Sequence, residues 1–139
     1  MKDKKIKNIF VQGGIPPDKI ATSIANHQSK THIGAHAIFM GQVRADELED
    51  KIVHAIEYTA QEQMANQVCE QIREEAFKKY DLSCMHIYHS LGKVPKGEIC
   101  LWGHAKPVFT SFGMAKRGGR PGPIGRNLSS TCRLFLEPR

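Results

Sequence analysis

The chain changes character after Trp102, and this change limits what its second part can fold into. Up to Trp102, apolar residues recur with helix and strand periods, whereas residues 103–139 are rich in Gly and Pro and show neither period. Residues 103–139 contain seven basic residues and one acidic residue, so their net charge of +6 equals that of the whole chain. We therefore expect an ordered, neutral domain over residues 1–102 and an irregular basic tail over residues 103–139.

Residues 1–102 alternate between strand-like and helix-like segments. Strand patterns cover Ile6–Val11, Ile33–Val43, Ile52–Thr59, Cys84–Ser90 and the start of a further strand at Glu98–Trp102, and a turn is predicted at Leu91–Lys96. A first helix is predicted from Pro16-Pro17-Asp18 onward. The second helix, Gln61–Tyr80, has the clearest pattern, an apolar stripe of Met64, Val68, Ile72, Ala76 and Tyr80. The pattern predicts an α+β fold with two helices and a mixed, mainly antiparallel sheet, in which Ile33–Val43 is a buried strand.

Several function classes are excluded by the composition. No apolar run approaches the roughly 20 residues that span a bilayer, and the Lys-rich start is followed by no signal-peptide core, so we expect a soluble cytoplasmic protein. The four cysteines, Cys69, Cys84, Cys100 and Cys132, form no Cys-x-x-Cys pair. Zinc ribbons and thioredoxin-like redox sites are therefore not expected, and the cysteines should pack as small apolar residues.

The histidine spacing predicts no metal site. His32 and His36 are four residues apart, which aligns side chains on a helix but not on a strand. His86 and His89 should point to opposite faces of their strand. Arg44 is a better candidate for chemistry, because it directly follows an apolar strand and its guanidinium can fork onto a phosphate or carboxylate. The alternative is that Arg44 is a solvated residue at the strand end.

The order of these segments resembles a known family. The similar segments are Gly34–Arg44, which ends in Gly-x-Val-Arg, then Ile56-Glu57-Tyr58, Met64-Ala65, Ile87–Gly92 and Gly97-Glu98-Ile99. Over about residues 30–102 they resemble the large, catalytic subunit of molybdopterin synthase, which implies a hammerhead-like fold.

The resemblance implies sulfur transfer without a cofactor. In that family a small ubiquitin-like partner carries a thiocarboxylate on its C-terminal Gly-Gly and inserts this tail into the large subunit. The sulfur passes to a cyclic pyranopterin monophosphate, which yields molybdopterin, and two large subunits pair in a heterotetramer. By the same resemblance Gln42, Val43 and Arg44 contact substrate in a basic pocket, with Arg44 as the anion ligand.

The family's remaining functional residues have no match here, so the catalytic residues stay unknown. The family has a His-Arg pair, a Lys at the end of an amphipathic helix, and a Pro-x-Trp-Lys-Lys-Glu-like segment. His104 comes too early and no Arg follows it, Pro123-Ile124 lacks the Trp-Lys-Lys sequel, and Lys116 lies in no helix pattern.

We hypothesise that a frameshift after Trp102 causes these departures. Read one nucleotide later, codons for Ser111–Arg120 permit Ala-Leu-Glu-Trp-Leu-Lys-Glu-Val-Val-Asp, an amphipathic helix, and codons for Gly103–Ala105 permit Val-Met-Leu. If the tail is genuine, a non-catalytic homologue that acts as a binding or dimerisation module is the alternative. A nucleic-acid-binding domain with a basic arm at residues 116–126 is a further alternative, but the neutral domain argues against it.

Overall fold

The computed structural model of the chain describes residues 5–107 and 130–138, which form seven strands and two helices. In chain order the elements are β1 (Phe10–Gln12), α1 (Pro17–His27), β2 (Ala37–Gln42), β3 (Glu47–Leu48), β4 (Lys51–Ala60), α2 (Glu62–Lys79), β5 (Leu82–Pro95), β6 (Ile99–Pro107) and β7 (Ser130–Pro138). The predicted α+β fold with two helices is confirmed.

The strands form one sheet that is mainly antiparallel. Its central path runs β2-β6-β5-β4-β3, with every neighbouring pair antiparallel. β1 lies parallel to β5, and β7 lies antiparallel to β4. β5 links the two halves of the sheet, because its first part pairs with β6 and its last four residues pair with β4. This topology confirms the predicted mixed, mainly antiparallel sheet.

The turn predicted at Leu91–Lys96 is wrong for its first five residues, because β5 continues through Pro95. Backbone pairing with β4 extends the strand across Gly92, whose φ of +78° is readily adopted only by glycine. A Cβ atom at Gly92 would lie 2.3 Å from Gln12 Nε2, so a side chain there would force the end of the Gln12 side chain to move. The chain instead turns at Gly97, where φ is +87°.

Both predicted helices are present. Pro17 occupies the first turn of α1, where its missing N–H removes no hydrogen bond, and Ile20 packs against the buried Trp102. In α2 the buried residues are Ala65 and Cys69, not the predicted Met64, which is 45% exposed. The stripe is shifted by one residue because α2 directs Cys69 against the sheet. Within the described residues, neither helix is long and apolar enough to cross a membrane.

The cysteine prediction is confirmed at the two positions that are fully packed. Cys69 joins a buried cluster with Ile9 and Ile87, and Cys100 joins another with Val43, Tyr58 and Val94. Cys84 is half-buried on β5 as a free thiol. The side chain of Cys132 lies outside the described residues.

The prediction that Ile33–Val43 is a buried strand is wrong. β2 covers only Ala37–Gln42 and lies at the edge of the sheet, paired with β6 alone among the described strands. Its apolar side chains are largely exposed: Ile38 by 41%, Phe39 by 56% and Met40 by 53%. The apolar composition of this segment predicts a strand inside the sheet, but an edge strand can also be apolar where another surface covers it.

The expectation of an irregular tail from Gly103 onward is wrong for residues 103–107 and 130–138. β6 continues five residues past Trp102 because β2 and β5 pair with it on both sides. β7 pairs with β4 along nine residues, and Lys96 forms an ion pair with Glu137 of β7 at 3.1 Å. Residues 108–129, which include Lys116, Pro123-Ile124 and the basic arm at 116–126, lie outside the described residues.

Candidate functional site

A cavity of about 360 Å³ opens where β2 ends. Its lining comes from β2 and the segment after it, the β3–β4 hairpin, and β7: Gln42, Arg44, Asp46, Leu48, Val53, Ile56 and Leu134. The aliphatic side chains form an apolar wall, and Gln42, Arg44 and Asp46 supply the polar groups. A concave site with an apolar wall and a few polar groups is the usual form of a small-molecule site.

Backbone hydrogen bonds fix the segment that carries Gln42 and Arg44. The register between β2 and β6 shifts between Gly41 and Gln42, a bulge of the kind that redirects side chains at a strand end. Directly after it, the N–H of Val43 donates to Glu98 O at 3.0 Å, and the N–H of Gly97 donates to Val43 O at 2.8 Å. The turn at Gly97 therefore holds Val43 from both sides, so Arg44 starts from a fixed backbone position.

The three sequence-predicted substrate residues divide between the cavity and the core. Gln42 and Arg44 line the cavity, as the prediction requires for contact with a substrate. Val43 is 2% exposed and packs against Tyr58, Val94 and Cys100. Because the backbone N–H and C=O of Val43 are also hydrogen-bonded, Val43 anchors the segment between the two cavity residues, Gln42 and Arg44.

The guanidinium of Arg44 pairs with the carboxylate of Asp46. Arg44 Nη2 donates to Asp46 Oδ2 at 3.1 Å and Nε donates to Oδ1, while 84% of the Arg44 side chain is exposed. The hydrogen bond to Asp46, and then its charge, raise the pKa of Arg44. The sequence pattern did not indicate the contact between Asp46 and Arg44.

The part of the cavity lining that the structure describes is not the basic pocket that the resemblance implies. Among the described residues Arg44 is its only cation, and Asp46 balances that charge. The two basic side chains that follow Trp102 on β6 do not reach this cavity, because His104 and Lys106 are fully buried.

His104 and Lys106 instead belong to a polar cluster, hereafter the histidine cluster, formed by His27, His36, Cys84, His86, His104 and Lys106. The register of β5 and β6 places His86 opposite His104 and Cys84 opposite Lys106. Side chains two residues apart on a strand share a face, so these four meet on one face of the sheet. The end of α1 adds His27, and His36 Nδ1 lies 2.7 Å from His104 Nε2.

Burial disfavours the protonated forms of three groups in the histidine cluster, His86, His104 and Lys106. It lowers the pKa of His86 to about 3, and the charges of Lys7 and Lys106 act in the same direction. Burial, and then the charge of Lys106, lower the pKa of His104 to about 4. The pKa of Lys106 is also lowered by burial, while its interaction with Cys84 acts in the opposite direction.

The structure brings together metal-ligating groups that the sequence spacing did not reveal. One ligand atom each from His27, Cys84 and His86 lie within 4.8 Å of one another. The spacing argument considered pairs within one strand, whereas His27 comes from α1. The sequence signal that could have revealed this cluster is the alternation of Cys84, His86 and Tyr88 along β5. These residues lie opposite Lys106, His104 and Trp102 of β6, in that order.

Comparison with known proteins points to one family. Residues 15–104 match the family described as MoaE protein. The molybdopterin synthase catalytic subunit of Emericella nidulans is 35% identical over 80 residues, which are 58% of this chain and 40% of that protein. The one from Aspergillus niger is 36% identical over 77 residues, 55% of this chain and 42% of that protein. The matched part thus spans about two fifths of the length of these curated relatives.

Solved structures show the same fold at lower identity. A complex of subunits 1 and 2 of molybdopterin-converting factor from Helicobacter pylori contains a chain with a TM-score of 0.74 and 14% identity, covering 92% of this chain and 84% of that one. Molybdopterin synthase from Staphylococcus aureus gives a TM-score of 0.70 at 17% identity, covering 96% and 94%. Since the family match extends over most of the described domain, the chain belongs to the MoaE protein family and is a homologue of the molybdopterin synthase catalytic subunit.

Proposed function

We propose that this chain is the large subunit of a molybdopterin synthase, which transfers sulfur from a thiocarboxylated small subunit to a cyclic pyranopterin monophosphate. The cavity at the end of β2 holds the substrate, Arg44 binds its phosphate or the anionic sulfur, and the Gln42 amide provides a further polar contact. Membership in the family supports the reaction class, and the cavity supports the residues.

The observation that carries this proposal is the placement of Gln42 and Arg44 in one cavity with an exposed guanidinium. A guanidinium fork matches the geometry of phosphate and carboxylate oxygens. Arg44 already shows such a contact with Asp46, and its exposure allows the Asp46 carboxylate to be exchanged for a substrate anion. A positive charge at this point also stabilises negative charge that develops during sulfur transfer.

A small ubiquitin-like sulfur carrier with a C-terminal Gly-Gly thiocarboxylate is the proposed partner. The Helicobacter pylori structure is a complex of two subunits of molybdopterin-converting factor, which supports a two-subunit assembly for this chain too. We also propose that two copies of the chain pair through β2. This strand exposes Phe39 and Met40 by more than half at a sheet edge, where a second copy would cover both the apolar side chains and the open backbone.

A binding-only homologue is the second candidate, and the charge of the cavity favours it. Sulfur transfer to a substrate that carries a phosphate involves anionic groups that the one guanidinium among the described lining residues, already paired with Asp46, does not balance. Lys106 is buried in the histidine cluster and cannot supply the second cation. In that case the chain keeps the fold and the protein–protein interfaces of the family but does not catalyse sulfur transfer.

The frameshift hypothesis links the two candidates. A restored frame after Trp102 would supply the amphipathic helix on which the family carries its catalytic Lys. The nucleotide sequence tests this directly: stop codons in the shifted frame, or the absence of a helix pattern there, would rule the frameshift out.

The proposed function is tested by a sulfur-transfer assay with the thiocarboxylated small subunit and the pyranopterin substrate. The chain as written is compared with a frame-restored chain, each with and without Arg44→Gln. We expect molybdopterin from the frame-restored chain, a large loss on Arg44→Gln, and little or none from the chain as written. Full activity of the chain as written would contradict the loss of the catalytic segment, and no activity from either chain would contradict the proposed reaction.

A further inference from the structure

We propose that His27, Cys84 and His86 form a zinc site with three protein ligands and one open position. None of the three lines the cavity at the end of β2, so the proposal does not depend on the proposed function. Nitrogen and sulfur ligands are the set that zinc prefers, and three protein ligands with a fourth position left open are typical of non-structural zinc sites.

The separation of the two imidazoles fits a tetrahedral ion. His27 Nε2 and His86 Nε2 are 3.4 Å apart, with the rings inclined by 67°. Two nitrogens at about 2.0–2.1 Å from a tetrahedral zinc lie about 3.4 Å from each other. As a direct hydrogen bond the same distance is longer than usual. The ligand atoms of all three residues lie within 4.8 Å of one another and Cys84 is a half-buried free thiol, so the proposal requires that its sulfur move toward the two nitrogens on binding.

The hydrogen bond of His27 selects the tautomer that binds a metal. His27 Nδ1 lies 2.6 Å from Ser23 O, one turn earlier in α1. A carbonyl oxygen can only accept, so Nδ1 carries the hydrogen and the lone pair of Nε2 faces His86. A hydrogen bond from the other ring nitrogen to a backbone carbonyl is the usual way in which proteins orient a histidine ligand.

His86 must exchange its tautomer on binding, and its surroundings permit this. Without metal, Lys7 Nζ donates to His86 Nδ1 at 3.3 Å, so the ring proton lies on Nε2. Binding through Nε2 moves that proton to Nδ1 and displaces Lys7, which keeps its shorter hydrogen bond to the Tyr88 hydroxyl at 2.8 Å. The Cys84 thiol loses its proton to solvent, so one proton is released per ion bound.

The charges around the site favour the thiolate and an anion in the open position. Lys7, Lys106 and Arg73 act electrostatically on His86, and a dication bound only by neutral ligands would be repelled by them. Lys106 lies opposite Cys84 in the β5–β6 ladder, where a Cys84 thiolate would stabilise the Lys106 ammonium that burial otherwise disfavours. A thiolate and an exogenous anion such as chloride together neutralise the charge of the ion.

The test is a titration of the full chain with cobalt(II), followed by zinc competition and read by optical absorption. We expect one cobalt ion per chain with the visible bands of a tetrahedral site and a sulfur-to-cobalt charge-transfer band. Cys84→Ser should remove the charge-transfer band, and His27→Gln should weaken binding by about tenfold or more. His54→Gln on β4 is the matched control and should leave the spectrum and the affinity unchanged.

Two results would overturn the proposal. One is the absence of a tetrahedral spectrum in the unmodified chain. The other is a spectrum that survives both Cys84→Ser and His27→Gln, which would place the ion elsewhere. If circular dichroism shows that Cys84→Ser does not fold, His27→Gln decides the question. His27 is a half-buried residue at the end of α1, so we expect its replacement to leave the sheet intact.

Discussion

Arg44 donates two hydrogen bonds to the carboxylate of Asp46, from Nε at 2.5 Å and from Nη2 at 3.1 Å. This bidentate pair occupies the guanidinium face that an anionic substrate needs. Its energy is small, because both side chains are solvent-exposed and water screens the attraction. Asp46 therefore acts as an internal competitor for Arg44 that a phosphate can displace.

Asp46→Asn should raise the affinity of the cavity for anions. The substitution removes the competing charge and leaves a neutral side chain of the same size, so inorganic phosphate should bind more tightly by up to about fivefold. Isothermal titration calorimetry at constant ionic strength measures this change. Glu62→Gln, in the first turn of α2, is the control for a general loss of negative charge. An equal gain in both variants would show that Asp46 does not compete for Arg44.

Lys106→Met should stabilise the protein. Burial lowers the pKa of Lys106, so the folded state disfavours its ammonium, and methionine fills a similar volume without charge. We expect the free energy of unfolding to rise by about 1–4 kcal/mol near neutral pH. The gain should shrink as the pH rises toward 10.5, where the unfolded chain also loses the proton.

Urea unfolding of Lys106→Met over this pH range measures the effect. Lys78→Met, exposed in the last turn of α2, is the control and should change stability little. A Lys106→Met variant less stable than the unmodified chain would mean that the interaction of Lys106 with Cys84, or with a residue outside the described ones, outweighs the cost of its burial.

The stability of the fold should decrease as the pH falls from 6.5 to about 4. The folded-state pKa of His104 is about 4, against an ordinary value of 6.5, so in this interval the unfolded chain binds a proton that the folded chain does not. Replacing His104 with a residue that does not titrate should reduce the slope of folding stability against pH by the contribution of one proton. His86, whose pKa is lowered to about 3, acts in the same direction and should keep part of the slope in any His104 variant.

Thermal unfolding of His104→Gln and His104→Leu at several pH values measures the slope. The two variants should differ in absolute stability but share the same shallower slope, because neither side chain titrates. An unchanged slope in both would contradict the buried, neutral state of His104.

Phe39→Lys should separate the proposed dimer. Phe39 is 56% exposed on the edge strand β2, and a lysine there would place a charge against the second copy. Sedimentation velocity should show a dimer for the unmodified chain and a monomer for the variant. Phe77→Lys on α2 is the matched control, since Phe77 is 39% exposed on another element and its replacement should leave the dimer intact. A dimer that persists in Phe39→Lys would place the interface elsewhere.

The two helices and β4 were predictable because local periodicity determines them, and the mainly antiparallel order was predictable because short turns separate neighbouring strands. β3 was not predicted, and β2 and β5 have other bounds than predicted. The strand that ends at Gln42 brings Arg44 to the cavity lining. The burial of β2 could not be predicted, because an apolar strand looks the same at an edge and in the centre of a sheet. Whether it is covered depends on a partner surface.

The errors beyond Trp102 have a different physical cause. His104 and Lys106 fall within the irregular tail that the Gly, Pro and basic content of residues 103–139 predicts. In the structure, backbone pairing on both sides holds β6 in place through Pro107, and the alternation of a strand then turns both side chains inward. The contact between Arg44 and Asp46 and the meeting of His27 with His86 were missed because each depends on a turn or a helix packing that the sequence pattern does not specify.

The central claim is that Arg44 holds the substrate anion in the cavity at the end of β2, and equilibrium binding tests it most directly. Binding of cyclic pyranopterin monophosphate is measured by calorimetry for the unmodified chain, Arg44→Gln and the control Arg133→Gln, an exposed arginine on β7 outside the cavity lining. The account predicts a loss of about tenfold or more in affinity for Arg44→Gln alone, because a charge-assisted contact is removed. Equal dissociation constants for Arg44→Gln and the unmodified chain would contradict it.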